Sequence, residues 1–450
     1  MGKYLHLFDT EVEFDAVYNN DETYYEPWVS LTLDSDRVDY NKTESIEPLT
    51  FKITSPGLVR WNLDVDYDSS SLRFLTEGQR TIEYSLNGGD WTSITSNTGD
   101  SAPSISVTEG DILKFRGNND TYYGGYYYYE DVYEEYRSVF SGTTAGFELE
   151  GNIMSLITST GYETLVEMTE DNNYVFASLF AGCTGLTSAG NLILPATTLA
   201  DSCYEVMFEG CTSLTKAPEL PATTLADDCY HDMFTHCTSL TQAPELPATT
   251  LANSCYNSMF RGCTNLTTAP ELPAETLAHG CYYFMFSNCT SLTQAPELPA
   301  TTLTEVCYAS MFQGCTSLTQ TPELPTTTLT RSCYSYMFAG CTSLTEAPEL
   351  PATTLAQACY YYMFQGCTGL TQAPELPATT LADYCYYDMF YNCTNLNYVK
   401  CLATDISASN CTYYWLYGVS PTGTFVKDAN MTSWTTGNSG IPNGWTVEDA

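Results

Sequence analysis

The chain has 450 residues, enough for about two to four domains and a sizeable core. Asp and Glu total 54 against 15 Lys and Arg, a net charge of −39. Such a surface repels phosphate backbones and anionic lipid headgroups, which excludes nucleic acid and membrane surfaces as partners. Neutral glycans, basic protein patches and divalent cations stay open. With only four histidines (His6, His231, His236 and His279), there is little material for His-based catalysis or His-rich metal sites. Thirty-six tyrosines are an excess of a residue suited to contact surfaces, because the ring is large, stiff and amphipathic.

In chain order, residues 1–46 mix extended and acidic segments and read as an N-terminal, attachment-type arm. "MGKYLHLFDTEVEF" lacks the apolar core of a secretory signal and turns acidic by Asp9. No run reaches the length of a transmembrane helix, so membrane insertion is not expected. Over residues 47–119, alternating runs such as "LTFKIT" and "RTIEYSL" predict a small β-sandwich, with "NGGD" as a hairpin turn. Residues 120–175 hold "TYYGGYYYYEDVYEEY", which reads as a Tyr/Gly-rich surface loop, and then the N-terminal cap of a repeat. Residues 419–450 lose the repeat and regain strand and turn signals, as a C-terminal β cap needs.

The repeat fills residues 176–418. One cysteine series runs from Cys203 to Cys411 in steps of 26, and a second from Cys211 to Cys393 in the same step, with Cys183 two residues further back. One unit reads "CTSLTQAPELPATTLANSCYNSMFRG" from Cys237. Some columns hardly change: C-T-x-L-T, A-P-E-L-P, T-L-A, C-Y and M-F. Five change freely, in one unit Asp227, Asp228, His231, Asp232 and Thr235. At about 100° per residue, Leu225 to Phe234 on a helix would gather the constant residues on one half and the variable ones on the other. Thr223 or Thr224 would cap that helix, with Pro221 just ahead of it. The prolines of "APELP" would leave a very short strand. The predicted fold class is therefore α/β: a leucine-rich-repeat solenoid of 26-residue repeats, short strand plus helix, preceded by a small β-sandwich domain.

"MFxGCTSLTxAPELP" resembles the BspA-like leucine-rich repeat of bacterial surface proteins. The unit here is longer, and Cys203 and its equivalents stand where that family carries an aliphatic residue, which marks the column as apolar core. The resemblance implies adhesion and partner binding. "YLHLFDTEVEF", "TIEYSLNGGDW" and "GDILKFRGNN" resemble segments of phage and prophage proteins of gut Bacteroidota. That second resemblance implies a virion protein, with a bacterial cell surface as the alternative location.

Both cysteine series recur at core-facing positions, so they read as reduced, buried thiols rather than disulfides or metal ligands. "CYHDMFTHC" (Cys229–Cys237) has the composition of a zinc cluster, but its register splits the side chains between two faces. Seven glutamates recur in "APELP": Glu219, Glu245, Glu271, Glu297, Glu323, Glu349 and Glu375. They would splay into water or share calcium. No nucleophile elbow, phosphate loop or HExxH stands in the sequence. No catalytic residue, resident metal or cofactor is assigned, and the chain reads as no enzyme.

The variable face collects Tyr283, Phe284, Tyr336, Tyr361, Tyr362, Tyr384, Tyr387 and Tyr391 among small polar residues, the palette of a binding surface. The expected function is non-enzymatic recognition of a bacterial surface glycan or protein, from a phage virion. The alternatives are a structural virion decoration protein, a bacterial cell-surface adhesin and a polysaccharide depolymerase. Other virion subunits, or copies of the same chain, complete the expected partners.

Overall fold

The computed structural model describes residues 3–7, 10–14, 46–66, 79–119, 124–129 and 132–450. The chain divides into two units, Met1–Ser45 and Ile46–Ala450. Within the first, β1 (Lys3–Leu7) and β2 (Thr10–Phe14) pair as an antiparallel hairpin. The rest of the expected arm lies outside the described residues.

The second unit opens with β3 (Thr50–Ser55), β4 (Gly57–Arg60), β5 (Asn62–Asp66), β6 (Thr81–Leu86), β7 (Thr92–Thr95), β8 (Ser104–Val107) and β9 (Ile112–Gly117). β10 (Gly124–Tyr129), β11 (Val132–Val139), β12 (Gly146–Asn152) and β13 (Leu186–Ile193) follow. The "NGGD" hairpin is present. Asn87 and Gly88 take φ of 53° and 74°, and β6 pairs antiparallel with β7. Where a tyrosine-rich loop was expected, β10 and β11 form a hairpin whose second strand pairs with β5.

The strands expected to make a small β-sandwich do not stand apart from the repeat. One six-stranded sheet runs β13-β12-β3-β9-β6-β7, and β12 pairs in parallel with β13, inside the first coil. Phe51 and Phe140 of this part pack on Phe180, Phe147 stacks on Phe51, and Phe180 stacks on Phe208 at 5.5 Å. A phenylalanine column then continues, one ring per coil, to Phe390. A single hydrophobic core therefore spans Leu49 to Trp445.

The predicted helix is wrong, and with it the α/β class: no α-helix occurs among the described residues. Residues 225–237 form a ribbon of tight turns instead. Cys229, His231, Met233, Thr235 and Cys237 donate their N–H groups to carbonyls three residues back. Asp228, Tyr230, Asp232, Phe234 and His236, which alternate with them, donate to carbonyls of the next coil. A helix keeps its backbone bonds inside one segment; here every second N–H goes to a neighbour. Closing the turns puts Asp228, Asp232 and His236 in the left-handed region, at φ of 54°, 53° and 59°.

The side chains follow this geometry. Cys229–Tyr230, Met233–Phe234 and Cys237 recur every four residues and are fully or almost fully buried. A period of four is the period of the turns, whereas a helix would rotate the set by about 40° per step. On the "APELP" side the expected short strand shrinks further, to single parallel bridges such as Gln242 with Thr268 and Thr250 with Thr276. The last coil is covered by a parallel sheet of β14 (Tyr398–Cys401), β15 (Thr424–Lys427) and β16 (Thr446–Asp449). There Trp415 stacks on Trp434 at 5.6 Å and donates its indole N–H to the Gly440 carbonyl.

Candidate functional site: a tyrosine field on the turn ribbon

All 19 cysteines are buried and none is bonded to another. In the second series each thiol spans two coils: Cys237 Sγ donates to the Phe208 carbonyl and Cys263 Sγ to the Phe234 carbonyl, both at 3.1 Å. Burial pushes Cys203 and Cys263 up to about 12, so they are neutral and poorly nucleophilic near neutral pH.

The side chains of "CYHDMFTHC" do not converge. Cys229 and Cys237 face the core and His236 is exposed, while His231 is half-buried with Nε2 3.1 Å from Asp232 Oδ2. Glu205 and Asp228 lie further from His231, at 3.8 and 3.7 Å. Among the described residues no three His, Cys, Asp or Glu side chains gather as a metal site requires. The row of Glu219, Glu245, Glu271, Glu297, Glu323, Glu349 and Glu375 is exposed throughout, and Glu375 pairs with Lys400 at 2.9 Å. Between neighbouring turns of the row lie shallow proline-walled clefts, one lined by Pro270, Glu271, Pro296 and Glu297.

The tyrosines behave differently. Tyr336 stacks on Tyr362 at 4.6 Å, and Tyr361 stacks on Tyr387 at 4.9 Å. Tyr361 and Tyr362 meet edge to face at 4.5 Å, and Tyr384 leans on Tyr387 at 6.0 Å. Tyr391 joins through Tyr417, at 5.2 Å. Tyr283 and Phe284 form a separate pair at 4.2 Å, with the Arg261 guanidinium 5.3 Å from the Phe284 ring. Six of the eight expected residues therefore belong to one continuous field and two stand apart.

Four members of the field were not foreseen. Tyr413 stacks on Tyr387 at 4.8 Å, and Tyr414 bridges Tyr413 and Tyr417. The signal for Tyr413 and Tyr417 was in the period, since they stand one 26-residue step beyond Tyr387 and Tyr391. The fourth is Asp388, only 6% exposed beneath the rings. The Tyr362 hydroxyl bonds to its carboxylate, and Oδ1 has no hydrogen-bond partner. Burial raises the Asp388 carboxyl, against the lowering effect of the Tyr362 bond. Desolvation, together with the neighbouring Tyr361 and Asp388, pushes the Tyr336 hydroxyl up to about 12.

Backbone conformation adds a second distinction. Phe284, Tyr336, Tyr362, Tyr384 and Tyr414 all lie in the left-handed region, at φ between 48° and 59°. In other coils the same columns hold Ser258, Ser310, Ser254, Gly280 and Asn410, and also Val206, Val306 and Ala358. A bulky side chain there costs on the order of 1–2 kcal/mol, which glycine avoids and Asn or Asp reduces.

The BspA type leucine rich repeat region, a family description of six copies, matches residues 162–293 and 281–416. A repeat region of this kind suggests a protein-interaction or adhesion role. No curated protein and no solved structure matches the chain. The matched segments cover more than half of the sequence and coincide with the stacked coils, and the chain belongs to the BspA-type leucine-rich repeat family.

Proposed function

We propose that the stacked coils are a non-enzymatic recognition module and that the tyrosine field of the C-terminal coils takes the ligand. The observation that carries this is the placement of large rings at left-handed positions. Coil geometry does not require them there, since serine, glycine and asparagine fill the same columns elsewhere. Strain kept at a surface, under rings presented side by side, fits selection for contact rather than for stability. Tyrosine-rich surfaces bind with little loss of side-chain entropy, which suits a partner on a bacterial surface, a glycan or a protein. We further propose a virion setting, which the resemblance of the N-terminal segments to phage and prophage proteins implies.

A triple variant, Tyr361→Ser, Tyr387→Ser and Tyr413→Ser, tests the module. Binding of the labelled chain to host cells should fall at least about tenfold, as for central aromatic anchors. The melting temperature should stay nearly unchanged, because these rings lie outside the core. Unchanged cell binding would remove the tyrosine field as the recognition surface.

A further inference from the structure

Along the "APELP" segments, cleft follows cleft. Pro296, Glu297 and Pro299 form one wall of the cleft they share with Pro270 and Glu271, and one wall of the next, shared with Pro322 and Glu323. Glu349 and Glu375 continue the series, so four clefts with common walls make one groove from coil to coil. Each has a volume between 270 and 440 Å³.

The groove holds more than a row of acids. Leu272, Leu298, Leu324 and Leu350 line it, although their side chains belong to the core and the residues are at most 6% exposed. It is therefore their backbone that meets the clefts. Among the described residues, the N–H groups of these leucines, and of the glutamates before them, make no hydrogen bond. In the last coil, by contrast, Leu376 donates to the Lys400 carbonyl at 2.9 Å. Two prolines per segment withhold ladder donors, which keeps neighbouring coils from closing on each other here. Backbone donors shielded in this way and left without a partner are rare in native structures. A ligand that brings acceptors into the clefts would satisfy them.

The ligand must repeat, because the clefts do. Phenylalanine rings of successive coils stack at 5.4–5.8 Å, which sets the step along the groove. An extended peptide brings a side chain to the same face about every 6.6 Å and falls out of register within a few coils. A pyranose chain joined through opposite ends of each ring advances about one coil step per sugar. Its hydroxyls can donate to the glutamate carboxylates and accept from the leucine N–H groups. Its C–H faces can lie on the proline walls. An anionic glycan is repelled by the glutamate row and by the net charge of −39.

We infer that the groove from Glu271 to Glu375 binds a linear neutral polysaccharide, one sugar to each coil. This site is separate from the tyrosine field and does not depend on it.

Calorimetric titration of the full chain with uncharged β-1,4-linked hexasaccharides of glucose, mannose and N-acetylglucosamine provides the test. At least one should bind, and the matching disaccharide should bind about tenfold or more weakly, since it fills fewer clefts. Glu297→Ala together with Glu323→Ala removes two acceptors from the middle of the groove and should weaken binding about tenfold or more. Both glutamates are exposed, so the double variant should melt with the parent. The triple serine variant of the tyrosine field should bind the hexasaccharide as the parent does. Failure of all three hexasaccharides to bind overturns the assignment, as does a disaccharide that binds equally well. Binding that survives the double alanine variant overturns it too. Binding lost in the triple serine variant would move the sugar to the tyrosine field and leave the groove without a ligand.

Discussion

The molecule carries two sets of tyrosines with opposite roles. The buried set, Tyr204, Tyr230, Tyr256, Tyr282, Tyr308, Tyr334, Tyr360 and Tyr386, is at most 2% exposed. Its rings stack nearly parallel at 5.7–6.1 Å, one per coil. The outer set is confined to a few coils and meets at angles from 8° to 71°. Within "CYYYMFQGC", Tyr360 belongs to the first set and Tyr361 and Tyr362 to the second. One residue of displacement along a tight turn separates a ring that builds the column from a ring that faces a partner. Regular stacking marks structural work, because every coil must present the same surface to the next. Irregular stacking marks a surface free to differ from coil to coil.

Alkali should break the buried set first. Buried thiols are raised from 9.0 to about 12, as at Cys203, and the buried tyrosines are raised too. Such groups stay protonated in the fold but ionise in the unfolded chain. Their contribution is complete below about pH 9 and disappears as the pH climbs to about 12. Summed over the columns the loss is on the order of several kcal/mol, enough for cooperative unfolding before pH 12. Circular dichroism across this range checks it, and a denaturation midpoint that does not move between pH 9 and 11 would contradict it.

A cavity in the buried column comes next. Tyr256→Ala should cost about 3–5 kcal/mol in chemical denaturation. Tyr308→Phe should instead stabilise by about 1 kcal/mol, because the Tyr308 hydroxyl is buried with no partner. Equal losses from both substitutions would mean that the hydroxyl, not the ring, holds the column.

The smallest effect belongs to the outer set. Tyr384→Asn should gain about 1 kcal/mol by relieving a bulky residue at φ 59°, where the equivalent residue 26 positions on is Asn410. The same substitution should weaken cell binding. A gain in stability with undiminished binding would detach the strain from recognition.

Much of this was legible because the chain repeats itself. The burial of Cys229, Tyr230, Met233 and Phe234 follows from comparing near-identical copies, but the variable columns do not all face outward: Thr235, Ser258, Ser287, Ser310 and Asp388 are buried, because small side chains there tuck between neighbouring coils. The helix was misread because constant and variable residues also fall on opposite halves of a helical wheel. The strict spacing of four in Cys229, Met233 and Cys237 was the available correction. The thiol bonds from Cys237 and Cys263 to the preceding coils could not be anticipated, since they span 29 residues and depend on where each turn closes. Nor could Asp388 be told apart from other acids of the variable columns. It is buried in a stretch where rings of four successive coils stack on one another.

By itself the sequence determined the 26-residue period, the core set and the acidic, tyrosine-rich outer face, because a repeat writes its own alignment. Only the tertiary structure decided the path of the backbone. Every second N–H in the turn ribbon is satisfied by the neighbouring coil, so the local conformation is not a local property. The same stacking brings residues 26 apart into contact. It turns scattered tyrosines into one surface and leaves a single carboxylate oxygen beneath them without a donor.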